Sequence, residues 1–353
     1  MVAHAPVRAG IIGASGFTGA ELLRLVAGHP DVDVVVATAG TQAGQPVGEL
    51  YPSLAAAYPD LGLSAFDADA DAGADIDVVD GLDLLFLGLP HQASMALAPR
   101  LVGRVGCVVD LSAAFRLKDA SSYPAWYGFE HDQPALLAEA VYGLPERHRA
   151  DLVGARLVAT PGCYVTAATL ALAPLLDAGL VDPVGVIVDA ASGVSGAGRG
   201  ATASNAFCTV DENFVAYGLL DHRHTPEIEQ NLGAQVLFTP HLAPMNRGIL
   251  ATCYARPVAG ADLSTALLGD VLRAAYATEP FVVAIDGSPS TKATLGSNAA
   301  HVNARFDERT GYVVALCAID NLTKGASGGA LQSANIALGL DERAGLPLVG
   351  VAP

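Results

Sequence analysis

Two patterns predict an α/β chain in two parts. Short apolar strands alternate with amphipathic helices over the first 110 residues, and longer strands follow one another with few helices beyond residue 155. The first part reads as a doubly wound parallel sheet, the second as an α+β domain with a mixed or antiparallel sheet. A third observation agrees: 353 residues, 52% hydrophobic and 16% charged, suffice for two domains with sizeable cores.

The elements follow in order. Val7–Ile12, apolar but for Arg8, is a strand buried on both faces. A glycine-rich turn, residues 13–19, leads into a helix whose Leu22, Leu25 and Val26 mark one face, with Thr18 and Glu21 spaced as a capping box. Gly28 and Pro30 stop it, and residues 33–38 form the second strand. Further strands are expected at 84–87 and 105–110, with a helix from Pro90-His91 to about residue 101 between them. Beyond residue 155, strands are expected at 184–190, 234–240, 249–256, 281–285, 299–307 and 312–319, with helices near 164–178, 226–232 and 262–277. A last apolar helix, 328–340, is placed back on the first domain. The expected division is therefore 1–160, completed by 326–353, and 161–325. No internal repeat or low-complexity linker interrupts it.

Nineteen basic against 36 acidic residues leave a net charge of −17. Phosphate backbones and anionic lipid repel such a chain, so neither nucleic acid nor a membrane surface is an expected partner. The acidic crowding over residues 67–83 reads as a solvated surface loop. The longest uncharged run, 157–176, is broken by Pro161, Gly162 and Pro174 into a strand and a helix, so no membrane span is expected. The N-terminal residues lack a signal-peptide pattern. Five cysteines, Cys107, Cys163, Cys208, Cys253 and Cys317, are odd in number, far apart and without CxxC spacing. That pattern fits free thiols in the cytoplasm and no metal site.

Gly13-Ala-Ser15-Gly16-Phe17-Thr18-Gly19 lies between a strand and a helix. Glycines there allow a tight turn and close backbone approach to a pyrophosphate, which the N–H groups at the helix start receive. A Rossmann-type dinucleotide site follows. The second strand ends without a carboxylate, at Thr38-Ala-Gly-Thr41-Gln42. Nothing there repels a 2′-phosphate, and Thr38 and Thr41 could donate to it, which favours NADP(H) over NAD.

Cys163 follows the strand 157–160 and the Pro161-Gly162 turn, and opens a long apolar helix. The positive helix end and its unpaired N–H groups favour a thiolate and can hold an oxyanion. Cys107, Cys253 and Cys317 fall in apolar strands and read as core; Cys208 stays undecided. A nucleophilic thiol needs a proton partner. Asp221-His222-Arg223-His224-Thr225-Pro226-Glu227 offers two candidates, His222 and His224, with Thr225 as N-cap and Glu227 placed to orient a ring. Pro90 and His91, at a strand end, are expected near the cofactor. Arg116 and Arg199 are candidates for a substrate phosphate or carboxylate. Ser192 to Gly200 is a second glycine-rich loop after a strand. Tyr123, Trp126, Tyr127 and Phe129 form an aromatic cluster that reads as packing, at a domain or subunit contact.

The GASGFTGAELLRL segment, Asp110-Leu-Ser112-Ala-Ala-Phe115-Arg116, Ala159-Thr-Pro-Gly-Cys163-Tyr-Val-Thr166, Ser192 to Arg199, His222-Arg-His-Thr-Pro-Glu227 and Asp320-Asn321-Leu-Thr-Lys-Gly-Ala326 together resemble the N-acetyl-gamma-glutamyl-phosphate reductase family. The likeness runs from residue 10 to 330. It implies NADPH-dependent reduction of N-acetylglutamyl 5-phosphate to the semialdehyde and phosphate, in arginine biosynthesis, by a cytoplasmic homodimer or homotetramer. By the same resemblance Cys163 is the nucleophile and His224 the first choice of acid/base. Ser192, Gly193, Gly196, Ala197 and Asn321 then lie toward the cofactor, and Ser112, Arg116, Arg199 and Glu227 toward substrate. The chain departs from many relatives in lacking a basic residue after its second strand. Two rivals remain: an aspartate-semialdehyde dehydrogenase-like enzyme, and a non-catalytic NADP-binding redox sensor.

Overall fold

A computed structural model describes residues 5–66 and 77–351. Ten residues of the acidic stretch, 67–76, and the first four residues of the N-terminus lie outside them. The chain divides into two compact units. One runs to Pro161 and takes up Ala326–Leu346; the other is Gly162–Gly325 with the segment from Pro347.

The first unit holds a seven-stranded parallel sheet. Its strands are β1 (Val7–Ile12), β2 (Val32–Ala39), β3 (Ser64–Ala65), β4 (Leu84–Leu87), β5 (Cys107–Asp110), β6 (Val141–Tyr142) and β7 (Leu157–Ala159). The order is β3-β2-β1-β4-β5-β7-β6, with every neighbour parallel. The order reverses beside β1, the place where open α/β sheets collect ligands beyond their strand ends. β4 is buried at all four positions, as a strand covered on both faces requires. The helix Phe17–Val26 starts at Gly16 without a side-chain cap, so the Thr18–Glu21 capping box does not form; Glu21 pairs with Arg24 at 2.7 Å instead.

The second unit holds another seven-stranded sheet: β8 (Val186–Gly193), β9 (Val215–Ala216), β10 (Val236–Ala243), β11 (Ile249–Ala255), β12 (Val282–Ala284), β13 (Ala300–Asp307) and β14 (Tyr312–Ile319). Its order is β12-β13-β14-β11-β8-β10-β9. It is mixed: β8/β10 and β12/β13 are parallel, the rest antiparallel. β11 alternates buried and half-buried residues, the period-2 signature of a strand with one face on a core. That core is built around the helix Cys163–Asp177, whose residues Tyr164 to Leu175 are all buried. A helix apolar on every side must be covered on every side. Here the sheet and the helices Thr225–Leu232 and Thr265–Ala275 cover it.

The last helix is Gly328–Ala337, shorter than the expected 328–340, and every residue in it is buried within the first unit. Its polar side chains are spoken for: Ser327 Oγ donates to Thr18 O at 2.8 Å, Ser333 Oγ to Gly143 O, and Asn335 Oδ1 meets His29 Nε2 at 3.1 Å. The expectation that 326–353 completes the first domain needs correction beyond residue 346. Asn298 N donates to Pro347 O and Val351 N to Leu295 O, which ties the final segment to the second unit. No helix among the described residues is long and apolar enough to cross a membrane.

One buried carboxylate organises the chain after β14. Asp320 is fully buried, pairs with Arg247 Nε at 3.0 Å and accepts from the backbone N–H of Gly296, Leu322 and Thr323. Removing one partner of such a pair strands a charge and three amides. Asp320→Ala is therefore expected to cost about 3–5 kcal/mol, toward the lower end because Arg247 keeps 22% of its side chain exposed. A shift in the urea midpoint worth under about 1 kcal/mol, the scale of a surface ion pair, would contradict this reading.

Candidate active site

The glycine turn follows β1. Gly13 adopts φ +87°, and a Cβ there would sit 2.4 Å from Gly88 O; one at Gly19 would sit 2.5 Å from Ala14 Cα. Both glycines are demanded by the fold's own backbone. Gly16 is different: its nearest neighbour would be Gly13 O at 3.5 Å, ordinary contact. Its glycine leaves surface open at a helix start that no side chain caps. Ser15, Gly16, Phe17 and Thr18 are all half-buried around that opening. These features fit a dinucleotide pyrophosphate. Beyond β2, Thr41 is exposed, whereas Thr38 is buried with its hydroxyl unpartnered. Of the two threonines, only Thr41 stands where a 2′-phosphate could reach it.

Two more loops leave the same sheet. Pro90 precedes the helix His91–Leu101. His91 Nδ1 accepts from Ala113 N at 2.9 Å, which ties it to the loop after β5. That loop, 111–117, has its backbone held on every side. Ser112 Oγ donates to the fully buried Asp110 at 2.7 Å and accepts from Ala114 N; Tyr123 Oη bonds Ala113 O and Leu117 N; His131 Nε2 meets Ala114 O at 2.8 Å. Arg116, 7% exposed, donates to Leu111 O. Of the four aromatic residues expected to pack, Tyr123, Tyr127 and Phe129 do so within this unit beside the loop, whereas half-buried Trp126 joins none of these ring contacts.

In the second unit, Gly162 caps the helix that Cys163 opens. Gly162 N donates to Glu227 Oε1 at 2.9 Å, so the carboxylate expected to orient a ring also holds the turn before the cysteine. A Cβ on Gly162 would lie 2.5 Å from His224 Nε2, and one on Gly325 would lie 2.9 Å from Cys163 Cβ. The histidine thus packs directly on the residue preceding the thiol. His224 itself, not Thr225, is the N-cap of Thr225–Leu232, because Thr225 is already helical. His222 and His224 lie with ring centroids 4.8 Å apart, and His224 N donates to His222 Nδ1. Burial, then the Arg223 cation, pushes the His222 ring down to about 4.

A cavity of about 440 Å³ gathers Cys163, Tyr164, Ser192, Gly193, Gly196, Ala197, His222 and His224. Reading the sequence missed Tyr217, which lines it from the loop after β9. Tyr217 Oη donates to Tyr164 Oη at 3.1 Å, and Tyr164 Oη donates to His241 O. Burial pushes Tyr217 up to about 12 and raises Tyr164 further. No local pattern marks Tyr217, because its partners come from elsewhere in the chain. Gly193 abuts the Asn246–Arg247 backbone, where a Cβ would be 2.7 Å away. Asn321 spends its amide inside the protein: Nδ2 donates to Ser195 Oγ at 3.0 Å and Oδ1 accepts from Gly248 N at 2.7 Å. It pins the Ser192–Ala197 loop. Arg199 is exposed just past that loop. Cys107, Cys253 and Cys317 are buried as expected, and Cys208 is exposed. Among the described residues no cluster of three or more His, Cys, Asp or Glu could hold a metal.

Two family models match the chain in succession. One, "Semialdehyde dehydrogenase, NAD binding domain", covers residues 8–155; the other, "Semialdehyde dehydrogenase, dimerisation domain", covers 163–321. Together they describe the two halves of a semialdehyde dehydrogenase. Solved structures carry the same fold. Aspartate semialdehyde dehydrogenase II of Vibrio cholerae complexed with ASA gives a TM-score of 0.69 at 15% identity, covering 94% of this chain and 98% of that one. The Candida albicans aspartate semialdehyde dehydrogenase with NADP gives 0.67 at 14%, with the same coverage. Curated relatives are much nearer in sequence. N-acetyl-gamma-glutamyl-phosphate reductase of Moorella thermoacetica is 45% identical over 98% of this chain and 100% of its own length. Those of Geobacter sulfurreducens, at 46% over 98% and 100%, and Acidothermus cellulolyticus, at 48% over 98% and 99%, agree. The chain belongs to the N-acetyl-gamma-glutamyl-phosphate reductase family.

Two kinds of outcome are expected, the first from the glycine turn. Gly13→Ala should destabilise the first unit, since positive φ alone costs a residue with a Cβ about 1–2 kcal/mol before the clash with Gly88 O. Gly16→Ala should leave the thermal midpoint nearly unmoved yet weaken NADP⁺ binding in a calorimetric titration; equal binding would mean the opening does not receive the cofactor. The second outcome concerns pH. A histidine whose folded value is lowered from 6.5 to about 4 disfavours the fold as pH falls, because the unfolded chain takes the proton first. Stability should drop between pH 6.5 and 4, less steeply in His222→Asn, and parallel urea-midpoint curves for the two proteins would contradict this.

Proposed function

We propose that the chain reduces N-acetyl-L-glutamyl 5-phosphate to N-acetyl-L-glutamate 5-semialdehyde and phosphate with NADPH, through a thioester on Cys163. The observation that carries the reading is the shared cavity: a cysteine at the N-terminus of a buried helix, with His224 against the preceding glycine and His222 beside that ring. The glycine turn of the first unit and exposed Thr41 would hold the dinucleotide. When bound, the nicotinamide supplies a hydride.

The chain's own residues do the rest. Cys163 Sγ attacks the acyl carbon, and the tetrahedral oxygen is received by N–H groups at the helix start. Phosphate leaves with its bonding pair, and the acyl group remains on sulfur. His224, holding the proton taken from the Cys163 thiol, gives it to the carbonyl oxygen as the thioester is reduced and takes it back from the thiohemiacetal hydroxyl. The C–S bond then breaks with its electron pair on sulfur, freeing aldehyde and thiolate. Glu227 keeps Gly162 in place throughout. Arg116, in its braced loop, suits the substrate's phosphate or carboxylate, since guanidinium matches either in two-point fashion. Arg199 is the alternative. Cysteines that form no disulfide among the described residues fit a cytoplasmic setting. Assembly into a homodimer or homotetramer is favoured by the matched dimerisation model and by exposed Phe207, Phe214, Leu219 and Leu220 in the second unit.

The reverse assay tests the reading. Given N-acetylglutamate semialdehyde, phosphate and NADP⁺, the protein should reduce the cofactor only with phosphate present. It should do so poorly with aspartate semialdehyde or NAD⁺. Preference for aspartate semialdehyde would move the substrate assignment to the four-carbon acyl phosphate. Cys163→Ser should lower turnover by about a thousandfold or more with NADP⁺ binding retained. Turnover unaffected by that change would sink the thioester and revive a sensor.

A further inference from the structure

The cavity that Cys163 lines runs on past the histidines along the segment around β9. Asn213, Val215 and Tyr217 all line it, every second residue, as an extended segment presents one face. Phe214 lies on the other face and stacks on His241, with ring centroids 5.1 Å apart and planes within 5°. That stacking, and the pairing of Val215 with Leu242 across to β10, fix which face the segment turns to the cavity. Its inner end is tied to the helix of Cys163 by the bond from Tyr217 Oη to Tyr164 Oη. Val215 stands one two-residue step further out, about 6.6 Å along a strand.

The outer end differs in chemistry from the inner. Val210, Val215 and Leu242 form an apolar wall, and Val215 is left 43% exposed on it. Beside them stands one amide. Asn213 Nδ2 donates to Thr209 O at 3.0 Å, and a carbonyl can only accept, so the orientation of the amide is fixed. Oδ1 faces away from that bond and, among the described residues, meets no donor. Glu212, just before it, holds φ +58°, a left-handed conformation that residues with a Cβ rarely adopt. Strain of this kind persists where the surroundings hold it, and it gathers at ligand sites.

An N–H beside a small apolar group is the complement of this end, and an acetylamino group offers both. A free ammonium suits it poorly: it would lose its hydration against three apolar side chains, with one acceptor to replace it. In the acyl phosphate, three carbons separate the reacting carbonyl from the amide nitrogen, a reach comparable to the step from Tyr217 to Val215.

We infer that Asn213 Oδ1 accepts the amide N–H of the substrate's acetylamino group, whose methyl rests on Val210, Val215 and Leu242. The subsite sets the preference for an acetylated amine over a free or larger-acylated one. No covalent bond is made or broken there. The inference rests on the acyl-phosphate reading above.

Amide and ester substrates separate this contact from a general effect. The 2-acetoxy analogue of the semialdehyde keeps the acetyl group and lacks the N–H. In the phosphate-dependent reverse assay, Asn213→Ala should lower kcat/KM about tenfold for the N-acetyl substrate, the scale of one hydrogen bond, and leave the ester's nearly unchanged. Val215→Ala should raise the N-propionyl to N-acetyl ratio of kcat/KM about tenfold, the scale of one methylene in an apolar pocket. Thermal midpoints near wild type check that both variants, at exposed positions, are folded. A loss in Asn213→Ala that is equal for amide and ester, or an unmoved acyl ratio in Val215→Ala, would overturn the inference. Calorimetric titration with N-acetylglutamate and 2-acetoxyglutarate reads the subsite without turnover: wild type should favour the amide, and Asn213→Ala should not. Wild-type silence toward the acetylated semialdehyde, with that binding preference intact, would overturn the proposed reaction and leave the subsite standing.

Discussion

The missing side chain at Gly162 is the constraint on which the second unit's chemistry depends. The space a Cβ would fill is taken by the His224 ring, and the backbone N–H is held by Glu227. One residue therefore caps the helix that presents Cys163 and seats the segment that carries both histidines. Gly325 does the same from the other side, close against Cys163 Cβ. A methyl group at either position forces a neighbour to shift, the His224 ring at Gly162 and Cys163 Cβ at Gly325, and in a close-packed interior such movement propagates. The cysteine is set by packing on two sides before any substrate arrives.

Behind that site, polar groups are buried in numbers that an apolar core would not admit singly. Asp320, Arg247 and Asn321 are acceptable because they satisfy one another and the surrounding amides. A buried charge unpaired costs several kcal/mol, whereas a surface pair contributes about 0–1. The network has little tolerance for partial satisfaction, and so it fixes the course of the chain after β14 and the loop Ser192–Ala197 with it.

The first unit solves a related problem differently. The loop 111–117 carries Arg116 past the C-terminal end of β5, an interior strand, in a chain of net charge −17. Such a chain holds anions poorly on average, so attraction has to be local. His91, Tyr123 and His131 take the loop's backbone groups one by one, which leaves Arg116 little freedom to lose on meeting an anion.

Much of this was legible in the sequence. The parallel sheet, the mixed sheet, the glycine turn and the place of Cys163 all follow from local periodicity and from residues whose backbone needs are particular. The GASGFTG and PGCY segments announce themselves because tight turns and helix starts are short-range events. Helix caps fall elsewhere than expected at Thr18 and Thr225: Glu21 pairs with Arg24 in its own helix, and the second cap moves by one residue to His224. Only the tertiary structure decided the rest: that Thr38 points inward, that Tyr217 lines the cavity, that Asn321 spends its amide on Ser195 and Gly248, and that His222 accepts where His224 donates. These depend on groups brought together from distant parts of the chain, or on which ring nitrogen faces which amide, and neither leaves a trace in spacing.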